Sequence, residues 1–150
     1  MRDKITEAMK QAMRDKATLR LSTLRLVNAA IKDADIAERG KGNDQGLDEP
    51  AILSLLAKMI KQRQESAVTY DGAGRAEMAA QERAEIAVIE EFLPKQLSED
   101  EIKAAVEQAI ANTSAESIKD MGKVMGALKG AYAGQMDFGK AGGIVKSLLG

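Results

Sequence analysis

The sequence predicts an all-α protein with an N-terminal bundle of about four helices, followed by a small domain of three helices. Apolar residues recur every three or four positions over long stretches, which is the period of an amphipathic helix. Aromatic residues make up only 3% of the 150 residues, so the core must be built from aliphatic side chains, most of which favour helices. No stretch shows the alternation of a β-strand.

The N-terminal unit is predicted over residues 1–93 and contains four apolar stripes. A loop rich in glycine, asparagine and aspartate, residues 39–50, separates the second and third helices, with Asp48 as the expected N-cap and Pro50 in the first turn. A shorter break at 70–76 precedes the fourth helix. The residues expected to face the core are Ile5, Met9, Met13, Leu21, Leu24, Val27 (or Asn28), Ile31, Ala34, Ile52, Leu55, Leu56, Met59, Ile60, Met78, Ile86, Ile89 and Leu93.

The boundary between the two units is predicted at residues 94–97, as a hinge. Pro94 is expected to end the fourth helix, because proline has no N–H to donate. Ser98 and Glu101 then form the pattern of a capping box, which starts the small domain over 98–150. Its three helices are predicted at about 99–112, 118–132 and 140–149, and the last should be weakened at its start by Gly142 and Gly143. The residues of this last helix expected to face inward are Ile144, Val145, Leu148 and Leu149.

The stretch DMGKVMGALKG, residues 120–130, places glycines inside a predicted helix. Each helical glycine costs about 1 kcal/mol relative to alanine. Either a neighbouring backbone packs closely against Gly122 and Gly126, or a phosphate approaches there. We expect close packing, which would also present the adjacent lysines to solvent.

Composition excludes several kinds of chemistry. The chain has no cysteine and no histidine, which removes disulfides, thiol nucleophiles, zinc fingers and imidazole acid–base catalysis. Neither a Walker A loop nor a GxGxxG motif is present. We therefore predict no catalytic residue, no metal site and no cofactor. Arg63 is expected to join Glu82 or Glu85 in a polar network between helices.

Charge is unevenly distributed along a chain whose net charge is −1. Basic residues dominate positions 1–41 and 119–150, while the middle of the chain is acidic. This pattern leaves RNA binding open, although the overall charge alone would argue against it. No apolar leader and no membrane-spanning stretch are visible, so we expect a cytoplasmic protein with no membrane and no DNA partner.

Four segments occur together in a recognisable order: LRLVNAAIKDADI (24–36), KQRQES (61–66), AGRAEMAAQERAEIAVIEEFLPKQLSEDEI (73–102) and MGKVMGALKG (121–130). Together they resemble the GatB/YqeY family over nearly the whole chain. The elements FLPKQLSEDEI and MGKVMG within the last two segments are the most specific. The resemblance implies that the C-terminal domain is similar to the tail of GatB, a subunit of the tRNA-dependent amidotransferase. That tail is associated with the outer body of tRNA, and the catalytic parts of the amidotransferase have no counterpart here.

The resemblance implies a non-catalytic protein that binds tRNA, or a complex for tRNA transamidation or aminoacylation. Two alternatives stay open: a protein–protein adaptor with no RNA role, and an accessory part of a carbon–nitrogen ligase that uses glutamine as amide donor. The candidate phosphate-binding residues are Lys119, Gly122, Lys123, Gly126, Lys129 and Lys146. Lys119 and Lys123 are expected to share a helix face, with Lys129 at its rim.

Overall fold

The computed structural model describes residues 1–150, and its regular structure is entirely helical, which confirms the predicted fold class. The chain divides into two compact units, Met1–Leu93 (unit 1) and Pro94–Gly150 (unit 2). None of the helices is both long and apolar enough to cross a membrane. The helices are α1 (Arg2–Arg14), α2 (Thr18–Gly40), α3 (Glu49–Gly72), α4 (Ala76–Glu90), α5 (Glu99–Thr113), α6 (Met121–Ala131) and α7 (Phe138–Leu149), with a 3₁₀ turn at Ile118–Asp120.

Unit 1 contains helices α1 to α4. Helices α3 and α4 pack along each other, α1 packs on α2, and α2 also packs on α4. Leu24 and Val27 from α2, Leu56 from α3 and Ile89 from α4 are completely buried in one aliphatic core. The predicted stripes of α2 and α3 therefore face inward, as their helical spacing requires.

Two helix starts follow local sequence signals. The Asp48 carboxylate accepts a hydrogen bond of 2.9 Å from the Ala51 N–H, and Pro50 occupies the first turn of α3. Ser98 and Glu101 form a reciprocal capping box at the start of α5, with both bonds at 3.2 Å. Both caps confirm the predictions.

The predicted end of the fourth helix is wrong by several residues. Helix α4 ends at Glu90, and two successive turns then carry the chain to Pro94. Pro94 therefore does not itself terminate α4.

Three methionine and leucine residues that were expected in the core are exposed. Met13, Met78 and Leu148 have 56%, 42% and 47% of their surface accessible. Met13 and Leu148 lie in the last turns of α1 and α7, and Met78 lies in the first turn of α4. An apolar stripe gives the direction of the core but not the point where the neighbouring helix ends.

Unit 2 contains α5 to α7 around a separate core. Ile102, Val106, Val124, Leu128 and Val145 are buried there. The segment before α5 is attached to this unit, because the Leu97 N–H donates to the Gln135 carbonyl at 2.8 Å and the Gln96 side chain donates to the Gly134 carbonyl. A hinge at 94–97 stays a prediction.

Candidate nucleic-acid interface

Helix α6 begins directly after the 3₁₀ turn, which Asp120 stabilises. Its carboxylate accepts hydrogen bonds from the backbone N–H groups of Glu116, at 3.0 Å, and Ser117, at 3.4 Å. These two bonds, followed by the nearby Lys123 ammonium, lower the pKa of Asp120 below its usual range. The turn places Lys119, which is exposed, immediately before α6. The sequence predicted one helix from 118, and the structure instead begins it as a 3₁₀ turn.

The inward face of α6 is apolar. Val124 and Leu128 have no accessible surface, while Met121 and Met125 are half-buried. The two methionine side chains pack against Gly142 of α7. A Cβ added at Gly142 would lie 3.5 Å from the Met121 Cε and 3.8 Å from the Met125 Cε. Gly142 is therefore a glycine of α7 that lies in van der Waals contact with α6 side chains.

The outward face of α6 carries three glycines, Gly122, Gly126 and Gly130, which we call the glycine strip. All three are exposed, and a Cβ added at any of them would meet no atom within 4 Å. The expectation that a neighbouring backbone packs against Gly122 and Gly126 is therefore wrong. Gly142, which was expected only to weaken α7, instead packs against the Met121 and Met125 side chains of α6. Helix α7 in fact begins before it, at Phe138, with Asp137 as its N-cap.

Two lysines flank the glycine strip. At about 100° per residue, Gly122, Gly126 and Gly130 lie within about 80° of one another, with Lys123 on one side and Lys129 on the other. Both lysines are exposed, and α6 contains no acidic residue. The outward face of α6 is thus a strip of exposed backbone with one lysine on each side.

The lysines of α7 point in different directions. Lys146 lies one turn after Gly142, which contacts α6, so it belongs to the edge of α7 nearest that helix. Lys140 instead lines a groove between α5 and α7, together with Lys103. Helix α6 and the turn before it therefore carry five of the six predicted residues, and Lys146 is contributed by the neighbouring helix.

The predicted polar network lies in unit 1. The Arg63 Nε lies 3.6 Å from the Glu85 Oε2, and a terminal nitrogen of Arg63 donates to the Met59 carbonyl at 3.2 Å. Burial raises the pKa of Glu85, the Arg63 charge opposes this, and the neighbouring Glu82 charge adds to it. Glu85 is therefore the ion-pair partner of Arg63, and Glu82 acts on the pair as a like charge.

Sequence reasoning missed a second polar cluster in unit 1. Arg2 donates to both carboxylate oxygens of Asp35, at 2.6 and 2.8 Å, and also to the Leu47 carbonyl at 2.8 Å. Asp35 accepts a further bond of 2.9 Å from the Leu47 N–H. Gly46 has φ of +77°, and a Cβ there would lie 2.5 Å from the Asp35 Oδ1. The only signal in the sequence was Gly46 itself, one of the glycines in the loop between α2 and α3.

No group of three or more aspartate and glutamate side chains in the structure is placed to hold a metal ion. The structure is that of a small all-α protein of two helical units. Its second unit has an exposed helix face that carries glycines and lysines. The family model described as "Yqey-like protein" matches residues 2–149. The chain belongs to this family.

Three curated fungal proteins are similar to parts of the chain, and each is named "Altered inheritance of mitochondria protein 41, mitochondrial". The protein from Meyerozyma guilliermondii is 40% identical over 57% of this chain and 42% of its own length. Those from Lachancea thermotolerans and Kluyveromyces lactis are 35% and 31% identical, over 65% and 72% of this chain and 51% and 57% of their own lengths. The chain thus spans about half the length of these relatives.

The comparison also corrects one expectation from the sequence. The chain was expected to be cytoplasmic, whereas all three relatives carry the word mitochondrial in their names. The expectation rested on the absence of an apolar leader, and such an absence says nothing about other kinds of targeting segment.

Proposed function

We propose that this protein binds tRNA without catalysing a reaction on it, alone or within a complex for tRNA transamidation or aminoacylation. The glycine strip of α6 and the lysines beside it would hold the phosphate backbone. One observation carries the proposal: Gly122, Gly126 and Gly130 are exposed and contact nothing, although each is unfavourable inside a helix.

The exposed glycines have a physical use at a phosphate surface. A side-chain-free strip lets a sugar–phosphate backbone approach the helix closely, and the lysines on either side neutralise the phosphates as they come near. Lys119, Lys123 and Lys129 are exposed, and the carboxylate of the neighbouring Asp120 accepts hydrogen bonds from the backbone N–H groups of Glu116 and Ser117. Recognition of this kind reads the shape and backbone of folded RNA, and needs no aromatic stacking surface. The resemblance of unit 2 to the GatB tail supports the same partner.

The proposal is tested by fluorescence anisotropy of labelled total tRNA with the purified full chain, across a salt series. If Lys119, Lys123, Lys129 and Lys146 each neutralise one phosphate, the logarithm of the association constant should fall with the logarithm of salt concentration with a slope of about −3. The variant Lys119→Glu/Lys123→Glu should bind far more weakly.

The matched control is Lys58→Glu/Lys103→Glu, which makes the same change in net charge at exposed lysines elsewhere. It should retain most of the binding, and circular dichroism should show unchanged helicity in both variants. Absence of tRNA binding at low salt, where electrostatic attraction is greatest, would refute the proposal. Equal loss in both variants would mean that net charge, and not this surface, is responsible.

A further inference from the structure

Helix α2 carries a second basic surface, in unit 1. Arg25, Lys32 and Arg39 are spaced seven residues apart, so they lie within about 40° of one another on the helix and extend over about 21 Å. We call these three residues the α2 stripe. All three are exposed. A spacing of seven is the repeat with which two helices pack side by side.

The charges of the α2 stripe are available to a partner. Arg25 and Lys32 form no ion pair in the structure, and Arg39 uses only its Nε, in a bond of 3.3 Å to the Asp44 carbonyl. The acid nearest to the stripe on the core side is Asp35, which is buried and already bound by Arg2. The three cations of the stripe therefore form no direct ion pair, although the charge of Arg39 interacts with the buried Asp35.

A groove between α1 and α2 runs beside this stripe. The ion pair of Arg2 and Asp35 lies in this groove, and Asn28, Lys32, Ile36 and Arg39 also line it. Ile5 and Ile31, which complete the lining, are almost completely buried. Ile36 lies between the last two cations and is 64% exposed, the second most exposed large apolar side chain in the chain. The surface thus combines regularly spaced cations with an unburied aliphatic residue.

We propose that the α2 stripe and this groove bind an acidic amphipathic helix of a protein partner. Carboxylates at every seventh position of such a helix would face Arg25, Lys32 and Arg39, and an aliphatic residue one turn away would cover Ile36. An RNA backbone would satisfy the cations but offers no aliphatic surface for Ile36, so charge and shape together favour a helix. This inference concerns unit 1 and does not depend on tRNA binding by unit 2.

The test uses a fluorescein-labelled 22-residue peptide with glutamate at three positions spaced by seven and leucine four residues after each glutamate, the remaining positions being alanine and glutamine. Its control replaces every glutamate by glutamine. The full chain should bind the glutamate peptide saturably and the control at least roughly tenfold more weakly, because the attraction to the cations is lost. Arg25→Glu/Lys32→Glu should weaken binding by at least about tenfold for the same reason.

Ile36→Ser tests the apolar part of the surface and should weaken peptide binding roughly threefold. The effect is small because the bound peptide would cover only part of the Ile36 side chain. The Lys58→Glu/Lys103→Glu variant should bind like the wild type. Equal binding of the two peptides, no saturable binding of the glutamate peptide, or stripe variants that bind it like the wild type would each overturn the proposal. Loss of tRNA binding with unchanged peptide binding in Arg25→Glu/Lys32→Glu would assign the stripe to RNA instead.

Discussion

Asp35 occupies a position that the helical pattern of α2 reserves for the core. It is only 6% exposed, and three hydrogen bonds that its carboxylate accepts from Arg2 and the Leu47 N–H compensate for its burial. The hydrogen bond from Arg2, followed by the one from the Leu47 backbone, lowers the pKa of Asp35 below its usual range. The cluster joins the start of α1 to α2 and to the loop before α3, so it fixes three parts of unit 1 through one carboxylate.

Asp35→Asn should destabilise the protein by about 1–2 kcal/mol at neutral pH, because the hydrogen bonds from Arg2 would then end on a neutral amide. The loss is limited because the Arg2 side chain is partly exposed and keeps contact with water. A lowered pKa in the folded state stabilises the fold above the ordinary aspartate value of about 4, and this contribution disappears as pH falls through the lower, folded-state pKa. The difference between wild type and variant, measured by urea unfolding, should therefore shrink at acidic pH.

The matched control is Asp33→Asn on the same helix, because Asp33 is exposed and forms no ion pair. It should change the free energy of unfolding by less than about 0.5 kcal/mol. A constant difference between Asp35→Asn and wild type across the acidic range would contradict the assigned pKa direction.

The sequence could not reveal this cluster, and the reason is distance along the chain. Arg2 and Asp35 are 33 residues apart, and each is ordinary for a helix surface. The caps at Asp48 and Ser98 could be predicted because their partners lie within three residues. For Arg63, the sequence predicted a partner on α4 but left Glu82 and Glu85 as alternatives. Helical spacing shows which residues share a face, but it does not show how the opposing helix is rotated.

Helix α6 is built with less stability than its length permits. Three of its eleven residues are exposed glycines that contact nothing, so alanine at those positions would fit without a clash. The sequence indicated which residues line this helix, but not whether the glycines face a neighbour or solvent. That depends on which face of α6 meets α7. In the structure α6 meets α7 through Met121 and Met125, which pack against Gly142.

Gly126→Ala should therefore stabilise the fold by about 0.4–1 kcal/mol and at the same time weaken tRNA binding. The added methyl group reduces the flexibility of the unfolded chain, but it would hold a phosphate backbone away from α6. Thermal unfolding and tRNA anisotropy on the same samples measure both effects.

Gly143→Ala is the comparison for this variant. Gly143 is also helical and exposed, and a Cβ there would likewise meet nothing within 4 Å, but it lies on α7 outside the glycine strip. It should give a similar gain in stability with unchanged tRNA binding. If Gly126→Ala binds tRNA as well as Gly143→Ala does, the glycine strip is not a contact surface.

At the scale of the whole chain, a net charge of −1 conceals two separate basic surfaces. The α2 stripe belongs to unit 1 and the lysines around α6 belong to unit 2, while acidic residues elsewhere compensate for both. The sequence indicated this distribution, because segments 1–41 and 119–150 are both basic. It could not separate free cations from paired ones, such as Arg2 and Arg20, which bind Asp35 and Glu91.

Residues 94–150, produced alone, should fold and bind tRNA with the same salt slope as the full chain. This unit has its own buried core, and Gln96 and Leu97 are bonded within it, so a cut before Pro94 removes none of these contacts. Fifty-seven residues are near the lower limit for independent folding, so circular dichroism and a cooperative thermal transition must be recorded first.

Residues 1–93 are the complementary sample, and they should fold but leave tRNA anisotropy unchanged. If the C-terminal fragment folds and its salt slope is smaller, unit 1 supplies phosphate contacts, and tRNA binding would have to be reassigned to both units.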